Sequence, residues 1–449
     1  MCINIEELMT SLDHRLITCH RNSQPLFAEL DQMQHELGLV SAGRPYSPFL
    51  RPQFFQREFY RQIARAAEVL AEAFDVMTMA ALENETILAE LGLTEVEERY
   101  ARIDPGYPGV CNSSRLDAFI GEDTFKFLEY NAETPAGITD QMQIEKLLKN
   151  IPEVAAFLDG HPHWTPSPHV KLLAGLVSGY RDFGGRKEKP NIAIVDWEGV
   201  STYTEFETLQ EYFESEGHRT VIASPEELEY HGEILRIRDV EVDIFYKRVL
   251  IHELFERSPD DHPLLRAYED GNIFMANSFR TKIPHKKASL AVLSNDRFAH
   301  LFTEQQLQMI DKHLPWTRLI SDRQVRFQDG KHDLLELIHL ERERFILKPN
   351  DDYGGAGIVV GWEATESEWD DAIEGALSSP YVVQERAPVE KVLFPTYDGE
   401  AVMEELLIDF DPFLFRGKVE GGLVRLSPRS LVNVAAGGGE AALVVLEDN

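Results

Sequence analysis

Four side chains sit at spacings suited to divalent-cation chemistry: Arg115, Asp117, Glu129 and Asn131, in the stretch SRLDAFIGEDTFKFLEYNAETPAG. If its two apolar runs pair as an antiparallel hairpin centred on Asp123, Asp117 lies opposite Glu129 and Arg115 opposite Asn131. Strand side chains alternate faces, so all four project from one side, with Phe119 and Phe127 continuing that side toward the turn. Two carboxylates and an amide oxygen are hard ligands of the kind Mg²⁺ takes while keeping waters and phosphate oxygens in its other positions. An ordinary hairpin with a polar cross-strand face has the same spacing. A second constellation weighs against that plain reading. RFILKPNDDYGGAGIVVG sets Lys348 at the end of an apolar strand, before a loop containing Gly354, Gly355 and Gly357. Glycines let backbone N–H groups approach phosphate oxygens, and a lysine supplies them a point charge. No Gly-Lys-Ser/Thr opens a helix there, so this is not a Walker A loop. Further on, YVVQERAP is an apolar strand ending in Gln384 and Glu385, an edge able to hydrogen-bond an adenine or a ribose.

The rest of the chain must position these groups. Its 449 residues exceed one ordinary core, and 43% hydrophobic content with 10% aromatics excludes wholesale disorder. A net charge of −33 argues against nucleic acid as a partner. The three cysteines, Cys2, Cys19 and Cys111, have no paired spacing, which fits a reducing compartment. The acidic start MCINIEELMTSLDHRL does not read as a signal peptide, and no run is apolar enough to span a bilayer. The expectation is therefore a cytoplasmic protein without a membrane partner. Residues 1–109 read as a helical region: FFQREFYRQIARAAEVLAEAFDVM has helical apolar spacing, and LTEVEERYARI opens on a Thr-x-x-Glu signature. Residues 110–189 carry the acidic hairpin. Over 190–280, NIAIVDW, a helix stopped by Gly217, TVIAS and VDIFYKRVL form a β-α-β layer of Rossmann-like kind, without a GxGxxG. Residues 281–449 alternate helix and strand and end mostly in strands. The fold class is α/β with α+β character.

Taken together, the Lys-Pro strand end, the glycine loop, the Val-Val-Gln-Glu segment, and Arg425 with Asn433 and Gly437-Gly438-Gly439 resemble the ATP-grasp superfamily of carboxylate-amine ligases. In the usual member the Asp…Glu-x-Asn strands follow these elements; here they come first, and none is expected in the ten residues after Gly439. That order resembles the circularly permuted ATP-grasp proteins, the glutathionylspermidine synthetase-like group in particular, with residues 190–280 as the pre-ATP-grasp layer. The resemblance implies ATP and Mg²⁺ as cofactors, with Asp117, Glu129 and Asn131 holding metal. It implies Arg115 beside an acyl phosphate, and Arg425 stabilising a tetrahedral intermediate unless it pairs with Glu420 or faces solvent. A lysine opening the helix in PHKKASLAVL would be the first ATP lysine, Lys287 being preferred to Lys286. Lys348 would be the second, and Gln384 and Glu385 the adenine hinge. The activity implied is an ADP-forming ligase joining a small-molecule carboxylate to an amine, a peptide or a polyamine being among the candidates. The rivals are a silent ATP-binding scaffold and a small-molecule kinase.

Overall fold

The computed structural model describes residues 5–121, 124–352, 354–430, 432, 434 and 437–447; Asp123, at the expected hairpin centre, and Asn433 lie outside the described residues. The chain folds as a mixture of helices and sheets. Its largest sheet joins the early hairpin to the late strands. In spatial order it runs Gly439–Ala441, Lys418–Ser427, Glu400–Phe415, Ser113–Ile120 and Phe125–Asn131, with Lys391–Asp398 also paired to Glu400–Phe415. Every pairing is antiparallel, and Phe413 lies opposite Arg115.

The hairpin pairs Arg115 with Asn131 and Asp117 with Glu129, as the alternation predicts, but a bulge follows: Ala118 lies opposite Phe127 and Phe119 opposite Lys126. The extra residue, Leu128, reverses the parity of the returning strand. Phe127 therefore does not continue the polar face beside Phe119. It turns into the core, with Leu116, Ala118, Phe125 and Tyr130. The physical reason is that core: helix Arg57–Glu83 buries Ile63, Leu70, Phe74 and Met77 against this side of the sheet, and Phe74 stacks on Tyr130 at 4.3 Å between ring centroids.

The first hundred residues are helical in the main, and Thr94 and Glu97 complete the reciprocal cap that their spacing predicts. The long helix begins later than its apolar pattern suggests. Gln53–Gln56, just after Pro52, is extended and pairs in parallel with Leu443–Leu446, so an early and a late segment share a sheet. A second sheet is wholly parallel, in the order Phe274–Ala276, Ile244–Lys247, Ile192–Val195, Thr220–Ala223. Its central strands are buried throughout, as strands covered on both faces require. Phe274–Ala276 is three residues long, too short to announce itself by pattern. A third, antiparallel sheet runs Thr317–Leu319, Tyr381–Glu385, Phe345–Pro349, Val359–Val360. The apolar run GIVVGWE gives only the last of these, because the chain turns at Gly361, where a Cβ would stand 2.0 Å from the Arg342 carbonyl oxygen.

One carboxamide locks the hairpin to the parallel sheet. Asn277 Nδ2 donates to the carbonyls of Ser113 (2.6 Å), Ala132 (2.9 Å) and Glu133 (3.1 Å), while its Oδ1 accepts from the N–H groups of Asn112 and Ser113. Both roots of the hairpin thus end on one buried side chain. Each buried backbone group left unpaired costs about 1–3 kcal/mol. Asn277→Ala is expected to lose about 3 kcal/mol or more in urea unfolding, on that same scale. A loss below about 1 kcal/mol would show that the joint lies elsewhere.

Candidate active site

The polar face of the hairpin opens on a cavity of about 510 Å³, whose lining includes Arg115, Asp117, Glu129, Asn131, Lys348, Gly354, Gly355, Asp409 and Arg425. Early and late segments of the chain meet here. Asp117 accepts from Arg115 Nε (2.9 Å), Asn131 Nδ2 (2.8 Å) and Arg425 Nη2 (2.9 Å). Burial opposes its charge, but the two guanidinium groups prevail and hold the carboxyl well below the usual carboxylate range. Glu129 lies 2.9 Å from Lys287 Nζ. Burial again works against ionisation, and Lys287 and Lys348 outweigh it, so its pKa also falls.

Of the two adjacent lysines, Lys287 faces the hairpin, from the N-terminal edge of helix Ala288–Leu293, and its ammonium also donates to the Asp352 carbonyl (2.7 Å). Lys286 points away, to Glu97 (3.0 Å) and Asp351 (2.6 Å). Lys348 donates to Gln384 Oε1 (2.8 Å) and lies 3.4 Å from the Leu128 carbonyl. Burial pushes its ammonium down to about 8 despite Glu129. The glycine loop leaves Lys348 through left-handed backbone at Gly354, Gly355 and Gly357 (φ +66°, +78° and +66°), where L side chains are strained. Its root is anchored, since Asp351 is gripped by Lys282 (2.7 Å) and Lys286.

Gln384 and Glu385 do not share the main cavity. Gln384 is buried and bonded to Lys348, Thr317 and the Leu128 carbonyl. Glu385 pairs with Arg344 (3.1 Å) and, with Lys126, Trp316 and Pro388, lines a second cavity of about 650 Å³.

Arg425 pairs with neither Glu420 nor solvent. It lies in register with Asp409 and contacts Asp117, Asp409 (2.6 Å) and Asp411 (2.7 Å). Burial, only partly answered by Arg425 and aggravated by Asp117 and Asp409, pushes Asp411 well above the usual carboxylate range. Asp409 and Asp411 escape the sequence reading, although LIDFDPF carries the needed cue: two acids two residues apart in an apolar strand. His285 is also missed; it lines the cavity with Nδ1 buried and without a hydrogen-bond partner among the described residues. Burial takes its imidazole down to about 4, so it is neutral near pH 7. No spacing reveals it.

Among the described residues, no three His, Cys, Asp or Glu side chains gather as a self-sufficient metal cage. Asp117, Glu129 and Asn131 on one face, beside an Asp409 oxygen lacking a partner among the described residues, are an oxygen donor set that fits Mg²⁺ sharing its coordination with phosphate and water.

No family model matches the chain. Among curated proteins it is similar to a protein of Frankia casuarinae named "Putative glutamate--cysteine ligase 2-2", 23% identical over 345 residues, which covers 71% of this chain and 36% of that protein. A "Putative glutamate--cysteine ligase 2-3" of Frankia alni matches at 23% over 338 residues with the same shares. The chain thus spans about a third of the length of these relatives, at 36%. Among solved structures, the apo form of a glutathione synthetase-like effector from Globodera pallida superposes with a TM-score of 0.59 at 13% identity, over 94% of this chain and 96% of that one. That likeness, nearly end to end, is one of fold.

Removing Arg425 would leave Asp117, Asp409 and Asp411 facing each other with Arg115 alone. Breaking a buried ion network from one side costs about 3–5 kcal/mol, so Arg425→Ala is expected to lose that much stability at pH 7. Asp411 already has a raised pKa, so its charged form opposes folding, and the penalty should grow as pH rises and shrink in acid. Denaturation midpoints of the wild type and Arg425→Ala from pH 5 to 8 check this; a pH-independent difference contradicts it.

Proposed function

We propose that the protein is an ATP-dependent, ADP-forming carboxylate-amine ligase with the ATP-grasp fold in circularly permuted order, resembling the glutathionylspermidine synthetase-like group. The observation that carries this reading is the single cavity lined both by the carboxylates of the hairpin 113–131 and by Lys348 with its glycine loop, some 220 residues later. The names of the curated relatives and the shared fold of the glutathione synthetase-like effector support it. The parallel layer within 190–280 is proposed as the Rossmann-like pre-ATP-grasp layer, 281–449 with the hairpin segment 110–189 as the ATP-grasp lobes, and 1–109 as a helical packing region.

In this reading Lys287 and Lys348 attract the triphosphate, and the N–H groups at Gly354 and Gly355 cover it. The segment around Gln384 and Glu385 receives the purine. Asp117, Glu129 and Asn131 would hold Mg²⁺, which supplies charge neutralisation on the phosphates. The substrate carboxylate becomes an acyl phosphate, and an amine then displaces phosphate. Arg115 and Arg425, fixed by their aspartates, present guanidinium N–H groups to the oxyanion of that second step. Closure of the glycine loop over its anchored root keeps water from the acyl phosphate.

Incubation with ATP, Mg²⁺ and panels of acids and amines, glutamate and cysteine first, should release ADP and phosphate with an amide product. AMP and pyrophosphate would overturn the reading, and a stable phosphorylated acid formed without any amine would assign a kinase. Asp117→Asn and Glu129→Gln are expected to lower turnover at least about a hundredfold while the far-ultraviolet circular dichroism is unchanged.

Lys348 provides a pH signature. Its ammonium loses its proton as pH rises through about 8, so phosphate attraction weakens and the KM for ATP should climb above that pH. Lys348→Ala is expected to raise the KM about tenfold at pH 7 and to flatten the rise. An unchanged KM would move the phosphate site elsewhere.

A further inference from the structure

Next to the cavity that Glu385 lines, and apart from that of Asp117 and Lys348, a cleft of about 460 Å³ lies against helix Glu85–Leu91, strand Gln324–Phe327 and the segment Asn295–Arg297. Its wall carries four arginines, Arg297, Arg318, Arg323 and Arg326, against two carboxylates, Glu90 and Asp296. In a chain of net charge −33 this is a local reversal of sign. The two acids are already shared out: Glu90 lies 2.7 Å from Arg323 and 3.8 Å from Arg297, and Asp296 lies 3.4 Å from Arg326. Among the described residues that line the cleft, arginines outnumber carboxylates four to two.

Arg318 is the deepest of the four, only 6% exposed. Its hydrogen bonds run from Nη1 to Ser294 and to the Thr317 carbonyl (2.7 Å), none of them to a carboxylate, and its guanidinium rests 4.7 Å from the Trp316 ring centroid. Burial pushes it down to about 10, with Asp296 and Glu90 opposing and Arg323 adding to the shift. A buried guanidinium is costly unless something answers its charge. Arg297 and Arg326, by contrast, stand 60% and 69% exposed at their side chains, free to swing onto an incoming group.

We propose that this arginine cleft binds a small, multiply charged phosphate-bearing anion, with Arg318 as the buried anchor and Arg297, Arg323 and Arg326 as the closing ring. Guanidinium forks match phosphate oxygens two at a time, and several around one cavity select for more than a single charge. The cleft shares none of its lining with the cavity of Asp117 and Lys348 but adjoins the one lined by Glu385 and Trp316, with Asn295, Asp296, Arg318 and Arg326 common to both; the inference rests on these arginines and not on the ligase reading. Arg318 belongs to the strand Thr317–Leu319, directly opposite Val383 in the strand that ends at Gln384 and Glu385.

The test is calorimetric titration of the full chain with inorganic pyrophosphate, with tripolyphosphate and orthophosphate as comparisons. Two surface changes made together, Arg297→Ala and Arg326→Ala, and separately Arg318→Gln, are expected to weaken pyrophosphate binding about tenfold or more, while Lys348→Ala leaves that binding in place. Hydrogen exchange should slow at 85–91 and 324–327 when pyrophosphate is added. Because the paired surface change leaves the core untouched, it decides the matter even if Arg318→Gln folds poorly. Absence of binding for all three anions, equal affinity in wild type and the surface variant, loss of all binding in Lys348→Ala alone, or capture only of long acidic peptides would each overturn the proposal.

Discussion

Buried carboxylates govern this structure. Asp117 and Asp409 are at most 8% exposed, Asp411 and Glu133 not at all, and Glu129 is only partly open; none can stay charged in a low-dielectric interior unless a cation comes to it. The cations come from far along the chain. Arg425 answers Asp117 and Asp409 and only partly Asp411, whose pKa stays raised; Lys287 answers Glu129; Lys282 and Lys247 answer Glu133. Each pairing closes a loop of polypeptide, so the fold cannot assemble without assembling the cavity. The same reasoning explains why Lys286 and Lys287, neighbours in sequence, do different work. Lys286 completes the inner network of Glu97 and Asp351, while Lys287 stands at its rim, toward the hairpin.

The inner network is also what couples the layers. Glu133 follows directly on the hairpin, Lys247 ends a strand of the parallel sheet, Glu97 belongs to an N-terminal helix, and Asp351 is the root of the glycine loop. Burial opposes charge on Glu133, yet Lys282 and Lys247 bring its carboxyl down to about 2. A loop whose first residue is held by two buried lysines, and whose glycines take left-handed backbone, leaves the network from a fixed root.

What the sequence made legible follows the range of each interaction. Alternation is local, so the facing of Asp117 to Glu129 and of Arg115 to Asn131 could be read directly, as could the Thr94–Glu97 cap and the β-α-β run after Asn191. The bulge at Leu128 could not, because it turns Phe127 into a core that also holds Phe74, a residue some fifty positions earlier. Asp409 and Asp411 carry a local cue, two acids two residues apart in an apolar strand. Asn277 offers none: an asparagine just after a three-residue strand acquires its importance only when five backbone groups from two other segments close around it. Short strands such as Gln53–Gln56 and Phe274–Ala276 share that invisibility, being extended because a partner strand exists and not because their own residues insist.

The balance of charge within the cavity bears on what it can receive. Arg115 and Arg425 are both spoken for by aspartates, so an anion entering there does not meet bare guanidinium charge; it meets the outward N–H groups of cations whose positions are already fixed. Preorganisation of this kind means the donors need not reorient when negative charge develops. Lys348 differs: burial has weakened its hold on its own proton, and its ammonium leans on Gln384 and the Leu128 carbonyl, both neutral. Phosphate oxygens would give that ammonium a better partner than either. The lysine is thus the member of the cluster with most to gain from an anionic ligand, and the rest of the cluster supplies the frame that makes its position reproducible.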